Sequence, residues 1–134
     1  YKTMKMELVN CLEQYWEFVR QLRTNPDNQG GFFTQVNITP EQQKDFMIVN
    51  QWDYKICLVD GEPAGYIGLL KGHEITYCVS SKFHGKGIGT FMIQEYTPRW
   101  AEVDAYVKTD NIASQRVFEK LGWEKQIYYK FKNK

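Results

Sequence analysis

The sequence predicts a mixed α/β fold in which helices flank a mostly antiparallel central sheet. Segments with alternating apolar residues predict strands, and segments with apolar residues at helical spacing predict helices. Short turns join three consecutive strand patterns between residues 54 and 79, which makes those strands antiparallel neighbours. The predicted order is β-α-α-β-β-β-α-β-α-β over 134 residues, a length that suits one domain.

The first strand and the first helix lie in the N-terminal part of the sequence. Apolar residues alternate with polar ones at the start, which predicts a strand through Met4, Met6 and Leu8. From Cys11 to Leu22 the apolar residues recur at helical spacing, and the predicted buried face contains Leu12, Tyr15, Trp16, Phe18, Val19 and Leu22. Breaker residues from Thr24 to Gly31 predict a loop after this helix.

The second helix is expected to begin after Thr39. Threonine is a good N-cap, and Pro40 then occupies the first helical position, where its missing N–H costs nothing. The residues predicted to face inward are Phe46, Met47 and Val49. A helix of this kind covers one face of the sheet.

Three consecutive strands form the predicted antiparallel part of the sheet. They are Tyr54–Val59, Ala64–Leu70 and Glu74–Val79, and β-branched and aromatic residues are frequent in them. Residues 60–63 and 71–73 each contain a glycine among polar residues, which predicts tight turns.

Helix and strand alternate again after the third of these strands. A helix is predicted from Gly87 to Tyr96, and Pro98 is expected to end or bend it. The segment Ala101–Val107 then predicts a strand. These two elements place a helix between strands in the second half of the sequence.

The last helix has signals at both ends. Asp110 or Asn111 is expected to cap its start, and Gly122 stops it after Leu121. Its predicted inward residues are Ala113, Val117, Phe118 and Leu121. The segment Trp123–Phe131 is predicted to form the final strand.

A glycine-rich turn from Val79 to Gly89 is the most informative feature for function. It lies between a predicted strand and a predicted helix, and its glycines are Gly85, Gly87 and Gly89. Unpaired N–H groups and the helix dipole favour an anion there, best a phosphate or pyrophosphate, and Lys86 adds positive charge. The spacing disfavours a Walker loop, which needs Gly-Lys followed by Ser or Thr, and also a dinucleotide-binding fingerprint.

Composition excludes several other classes of function. The net charge is +1, with 17 basic and 16 acidic residues, so neither nucleic acid nor a membrane surface is an expected partner. Cys11, Cys57 and Cys78 have no regular spacing, which argues against a disulfide framework and against a zinc site. The sequence shows no signal peptide and no apolar stretch long enough to cross a bilayer, so a cytoplasmic protein is expected.

Two motifs together resemble the GCN5-related N-acetyltransferase (GNAT) superfamily. The turn from His84 to Gly89 is similar to the loop that binds the pyrophosphate of acetyl-CoA in that family. The segment from Asn111 to Trp123 is similar to the Asn-x-Ala-Ser helix of members related to ribosomal-protein alanine and amino-sugar acetyltransferases. The resemblance covers the chain from about Tyr54 to Trp123 and implies a single acyl-CoA N-acyltransferase domain over residues 1–134.

The resemblance implies that acetyl-CoA donates an acetyl group directly to a primary amine of a small molecule, such as an amino sugar, in a ternary complex. The implied cofactor-binding residues are Tyr77, Cys78, Val79, His84, Gly85, Lys86, Gly87, Ile88, Gly89, Thr90, Asn111 and Ser114. The loop expected to form the acceptor pocket contains Arg23, Phe32 and Phe33. No metal is implied, and the protein is expected to be a monomer or a homodimer.

The reacting amine must lose a proton, and the departing thiolate must gain one. Glu74 is the first candidate for the base, because it begins the strand that leads to the turn, and His73 is the second. The sequence departs from the family pattern at His84, where Arg or Gln is usual, and at Phe118, where many members have a Tyr thought to protonate the thiolate. Ser114 is the candidate acid that the related subgroup implies.

Three other functions remain open from the sequence. The same fold could acetylate the N-terminus of a protein. The Phe at position 118 would also suit a non-catalytic module that binds acyl-CoA. A nucleotide-binding protein could use the glycine turn for ATP.

Overall fold

A computed structural model describes residues 3–32, 37–97 and 102–133. A five-stranded sheet lies at the centre, and four α-helices of the described residues flank it. The strands are β1 (Met6–Asn10), β2 (Tyr54–Val59), β3 (Glu62–Leu70), β4 (Glu74–Val79) and β5 (Asp104–Ala105). The helices are α1 (Trp16–Thr24), α2 (Pro40–Asn50), α3 (Ile88–Tyr96) and α4 (Ile112–Lys120).

The sheet is antiparallel from β1 to β4 and parallel between β4 and β5. The pairing between β4 and β5 covers only Glu74 with Asp104 and Ile75 with Ala105. Within the described residues, the rest of β4 from Thr76 onward is therefore paired only on its β3 side. An edge with free backbone groups opens beside β4 at this point.

Two apolar layers cover the two faces of the sheet, because side chains alternate between faces along each strand. One layer joins the sheet to α3 and α4, and its buried residues are Cys57, Val59, Ala64, Ile67, Ile75, Phe83, Ile88, Met92, Ile93 and Phe118. The other joins the sheet to α1 and α2, and its buried residues are Cys11, Trp16, Val19, Leu22, Met47, Tyr54, Ile56, Leu58 and Tyr66. The predicted fold class is thus confirmed.

The first helix begins later than predicted. A short 3-10 turn over Glu13–Tyr15 precedes α1, which starts at Trp16. Leu12 has extended backbone before this turn and is 45% exposed, so its assignment to the buried face was wrong. The segment after α1 forms 3-10 turns over Pro26–Gly31.

The start of α2 confirms the predicted cap. Thr39 Oγ1 accepts a hydrogen bond from the Gln42 N–H at 3.2 Å, and Gln42 Oε1 accepts one from the Thr39 N–H at 2.9 Å. This reciprocal pair satisfies two backbone donors at the helix start. Met47 is buried as predicted, whereas Val49 points to solvent and is 77% exposed, because only a narrow face of α2 packs on the protein.

The hairpin between β2 and β3 is tighter than predicted. Asp60 and Gly61 have φ angles of 50° and 83°, which makes a two-residue turn with both central residues in the left-handed region. Glu62 and Pro63, predicted to lie in the turn, therefore belong to β3. The strands predicted at 54–59 and 74–79 have the observed bounds.

The C-terminal third differs most from the prediction. The strand predicted at 101–107 is limited to Asp104–Ala105, while Pro98 and Ala101 lie outside the described residues. The strand predicted at 123–131 was wrong: that segment has no strand pairing in the described part of the chain, and Tyr129 is 84% exposed. Strand-forming residues are not sufficient for a strand, because a strand also needs a neighbouring strand to pair its backbone N–H and C=O groups.

Candidate active site

The glycine turn leads into the N-terminus of α3. Gly87 is the N-cap, with φ of 78°, and Gly85 has φ of 76°. A Cβ built on either glycine would meet nothing within 4 Å, so the space in front of the turn is open. Glycine is needed at these two positions because the backbone is left-handed there, and not because neighbouring atoms would clash with a side chain. The first N–H groups of α3 have no partner within the helix and lie beside this open space.

Side chains hold the turn against the end of β4. His84 Nε2 lies 2.9 Å from the Val79 carbonyl oxygen, so this nitrogen carries the proton and donates. Phe83 is buried beneath the turn, and Lys82 pairs with Glu62 at 2.7 Å on the surface. Lys86 is exposed and does not line the cleft described next.

A cleft of about 980 Å³ extends from this turn along the free edge of β4. Its walls are the glycine turn, β4, the start of α4, residues 105–107 and the segment after α1. That segment approaches the start of α4 closely, since a Cβ on Gly31 would lie 3.5 Å from the side-chain nitrogen Nδ2 of Asn111. The cleft therefore forms between the two strands that separate after Ile75 and Ala105.

Two hydroxyl groups from distant parts of the sequence meet in this cleft. The Tyr77 hydroxyl on β4 lies 2.6 Å from Ser114 Oγ on α4. Ser114 is largely buried, and its backbone N–H donates to Asn111 Oδ1 at 3.2 Å, which makes Asn111 the N-cap of α4. Burial raises the pKa of Tyr77 above its ordinary value, although the hydrogen bond with Ser114 opposes this. Tyr77 is thus a neutral hydrogen-bond donor near pH 7.

Charged groups line another part of the same cleft. Glu74 is half-buried at the start of β4, and Arg23 and Asp27 come from α1 and the turn that follows it. The Arg23 guanidinium also lies 5.9 Å from the centre of the Phe46 ring. Phe32 contributes an aromatic surface to the wall.

The structure brings most of the predicted site residues together. Those that line the cleft are Arg23, Phe32, Glu74, Tyr77, Cys78, Val79, His84, Gly85, Gly87, Ile88, Gly89, Thr90, Asn111 and Ser114. His73 lies in the turn before β4, where its Nδ1 is 3.1 Å from the Lys71 carbonyl oxygen, and it does not line the cleft. Phe33 lies outside the described residues. Ala113, predicted to pack inward, is exposed and faces the cleft.

Sequence reasoning missed Asp27, Asn28 and Thr76 as lining residues. Thr76 could have been found, because it is two positions from Glu74 on one strand and so shares its face. Asp27 and Asn28 lie among loop residues without periodicity, and no sequence pattern placed them beside β4.

Two of the three cysteines are buried, and Cys78 is half-buried. Cys11, Cys57 and Cys78 are free, and burial raises the pKa of the Cys78 thiol to about 12. Among the described residues, no cluster of three or more His, Cys, Asp or Glu could hold a metal ion. No helix in the described ranges has the length and apolar character needed to span a bilayer.

Comparison with known proteins identifies the class. The model of the acetyltransferase (GNAT) domain family matches residues 7–124. Comparison with curated protein sequences gives no match. The chain therefore belongs to the GNAT family; it is an N-acetyltransferase whose acyl donor is acetyl-CoA.

Solved structures share the fold at low sequence identity. A domain from Methanocaldococcus jannaschii is 18% identical, with 92% of this chain and 91% of that chain covered and a TM-score of 0.77. A GNAT-family acetyltransferase from Bacillus anthracis is 20% identical over 92% and 82%, with a TM-score of 0.73. Spermidine N-acetyltransferase from Vibrio cholerae, solved in complex with CoA and spermine, is 13% identical over 87% and 79%, with a TM-score of 0.76.

Proposed function

We propose that this enzyme transfers the acetyl group of acetyl-CoA directly to a primary amine of a small molecule. The observation that carries the proposal is the single cleft that contains both the glycine turn and the carboxylates of Glu74 and Asp27. Donor and acceptor bound in one cleft can react within a ternary complex. Holding two reactants in line is worth about 7–11 kcal/mol in favourable systems.

The residues present fit CoA. Gly85 and Gly87 leave open space where a diphosphate can approach the first N–H groups of α3. The free edge of β4 from Thr76 to Val79 offers backbone groups to the amides of the pantetheine arm. When bound, acetyl-CoA supplies a thioester whose carbonyl carbon accepts the amine.

Glu74 is the proposed general base. It is half-buried, lines the cleft and lies on the same strand as the edge proposed to hold the pantetheine arm. An amine is mostly protonated near pH 7, and a positioned base contributes about 10²–10⁴-fold to the rate. His73 is the weaker candidate, since it does not line the cleft in the described part of the chain.

Ser114 is the proposed donor of the proton to the departing sulfur. Its hydroxyl lines the cleft and is held by a hydrogen bond to Tyr77. Asn111, which caps α4 and accepts from the Ser114 N–H, fixes the position of this first helical turn.

The charges in the cleft support a cationic small molecule as the acceptor. The carboxylates of Glu74 and Asp27 attract an ammonium group, and Arg23, which lines the same cleft, can bind an acidic or hydroxyl group of the same molecule. The Vibrio cholerae neighbour is a spermidine N-acetyltransferase, which agrees with a small amine.

An acetylation assay tests the proposal. The protein and acetyl-CoA are incubated in separate reactions with spermine, with glucosamine and with a short peptide that has a free N-terminus. The products of each reaction are identified by mass spectrometry. Acetylation of a small amine is the expected result. Acetylation of the peptide alone would replace the proposal with protein N-terminal acetylation, and CoA binding without any product across a wide amine panel would indicate a non-catalytic module.

A further inference from the structure

We propose that Tyr77 is a positioning residue that relays a proton through Ser114 to the sulfur of CoA. The proposal rests on the proposed function and gives a proton-transfer role to Tyr77, which the mechanism above uses only to hold Ser114. Its basis is the 2.6 Å contact between the two hydroxyls, which joins β4 to α4 across 37 positions of sequence. Both residues line the cleft.

The direction of this hydrogen bond follows from acidity. A phenol is a much stronger acid than an alcohol, so Tyr77 donates and Ser114 Oγ accepts. Within the described residues, Tyr77 is the partner found for the Ser114 hydroxyl. Because a serine hydroxyl has a single proton, donation by Tyr77 leaves that proton free to point into the cleft.

The wall beside this pair provides no other phenol on α4. Phe118 follows Ser114 by one helical turn and packs edge-on against Tyr77, with ring centres 6.1 Å apart. Tyr77 and Tyr106 both line the cleft, and Tyr77 is the one whose hydroxyl contacts Ser114. The Tyr77 ring also lies against α3, since a Cβ on Gly89 would lie 3.2 Å from it.

The proton transfer balances as follows. Ser114 gives its hydroxyl proton to sulfur as the carbon–sulfur bond breaks and the electron pair of that bond goes to sulfur. Tyr77 gives its proton to Ser114 Oγ, and water in the cleft returns a proton to Tyr77. The proton that the amine released to the base makes the overall reaction neutral in protons.

The proton of Tyr77 is available for this transfer. Burial raises the pKa of Tyr77 above its ordinary value, so the phenol stays protonated at neutral pH and can donate to Ser114 as sulfur takes the Ser114 proton.

Binding of CoA and of desulfo-CoA, in which hydrogen replaces the thiol, tests the relay without turnover. Isothermal titration at pH 9, where much of a free thiol is ionised, compares wild type with Tyr77→Phe and Ser114→Ala. We expect wild type to bind CoA about three- to tenfold more tightly than desulfo-CoA, and both variants to lose that preference. Tyr129→Phe makes the same chemical change at an exposed site and should keep it.

Kinetics provide the second readout. Tyr77→Phe should lower kcat about tenfold to a hundredfold with little change in the KM for acetyl-CoA, and Phe118→Tyr in that background should restore part of the loss. If Tyr77→Phe weakens CoA and desulfo-CoA equally, the hydrogen bond only packs β4 against α4, and the relay is refuted. Should Tyr77→Phe fail to fold, an unchanged preference in Ser114→Ala refutes it instead. Absence of CoA binding in wild type would refute the proposed function itself.

Discussion

Replacing Gly87 by alanine separates the role of the glycine turn in binding from its role in stability. Gly87 has φ of 78°, and a Cβ at this position meets nothing within 4 Å. The cost to folding is therefore only that of a left-handed alanine, about 1–2 kcal/mol. Gly61, in the hairpin between β2 and β3, has φ of 83° and the same empty surroundings. Gly61→Ala is thus a matched control with the same expected cost.

The two variants should differ in their affinity for CoA. A Cβ at position 87 projects into the open space in front of the turn, where it obstructs the approach of the diphosphate to the first N–H groups of α3. Loss of one hydrogen bond to a charged group costs about 1.5–3 kcal/mol, which corresponds to about a 10- to 150-fold rise in Kd. Gly61→Ala lies outside the cleft and should leave Kd unchanged.

Urea unfolding and titration calorimetry with CoA measure the two effects on the same samples. We expect equal losses of unfolding free energy in the two variants and a higher Kd for Gly87→Ala alone. If Gly87→Ala binds CoA as tightly as Gly61→Ala does, the diphosphate does not lie on this turn. The site described above would then be misplaced.

Three further outcomes are expected. Glu74→Gln should lower kcat about 10²–10⁴-fold at neutral pH, while the control Glu41→Gln on the surface of α2 should leave kcat unchanged. Steady-state kinetics with the amine identified by the acetylation assay measure this, and an unchanged kcat in Glu74→Gln would contradict its assignment as the base. Gly68→Ala should prevent folding or lower the melting temperature sharply, because its Cβ would lie 2.5 Å from the Tyr54 ring. A thermal melt followed by circular dichroism checks this, and a melting temperature equal to that of wild type would contradict it. Burial raises the pKa of Cys57 to about 11 and of Tyr54 to about 12, so the folded state holds these protons more tightly than the unfolded state. The free energy of unfolding should therefore be highest below the ordinary pKa values of 9.0 and 10.0 and fall as pH rises toward 11–12. A urea midpoint that stays constant from pH 8 to 11 would contradict this.

Local signals in the sequence determined where several helices and strands begin and end. Thr39 caps α2 because its side chain reaches a backbone N–H three residues away, and Gly87 permits the left-handed start of α3. Strands β2 and β4 have the predicted bounds because alternation and turn residues are short-range features. The same signals carried the resemblance to the GNAT family, which the family match over residues 7–124 confirms.

Only the tertiary structure decided which side chains meet in the cleft. The contact of Tyr77 with Ser114 and the approach of Gly31 to Asn111 join segments that are far apart in sequence. The segment 123–131 has a strand pattern, yet it has no strand partner in the described residues, and the exposure of Val49 depends on how α2 packs. The spacing of apolar residues indicates which face of a helix or strand can be buried. Packing between segments that are distant in sequence decides whether that face is covered and by which residues.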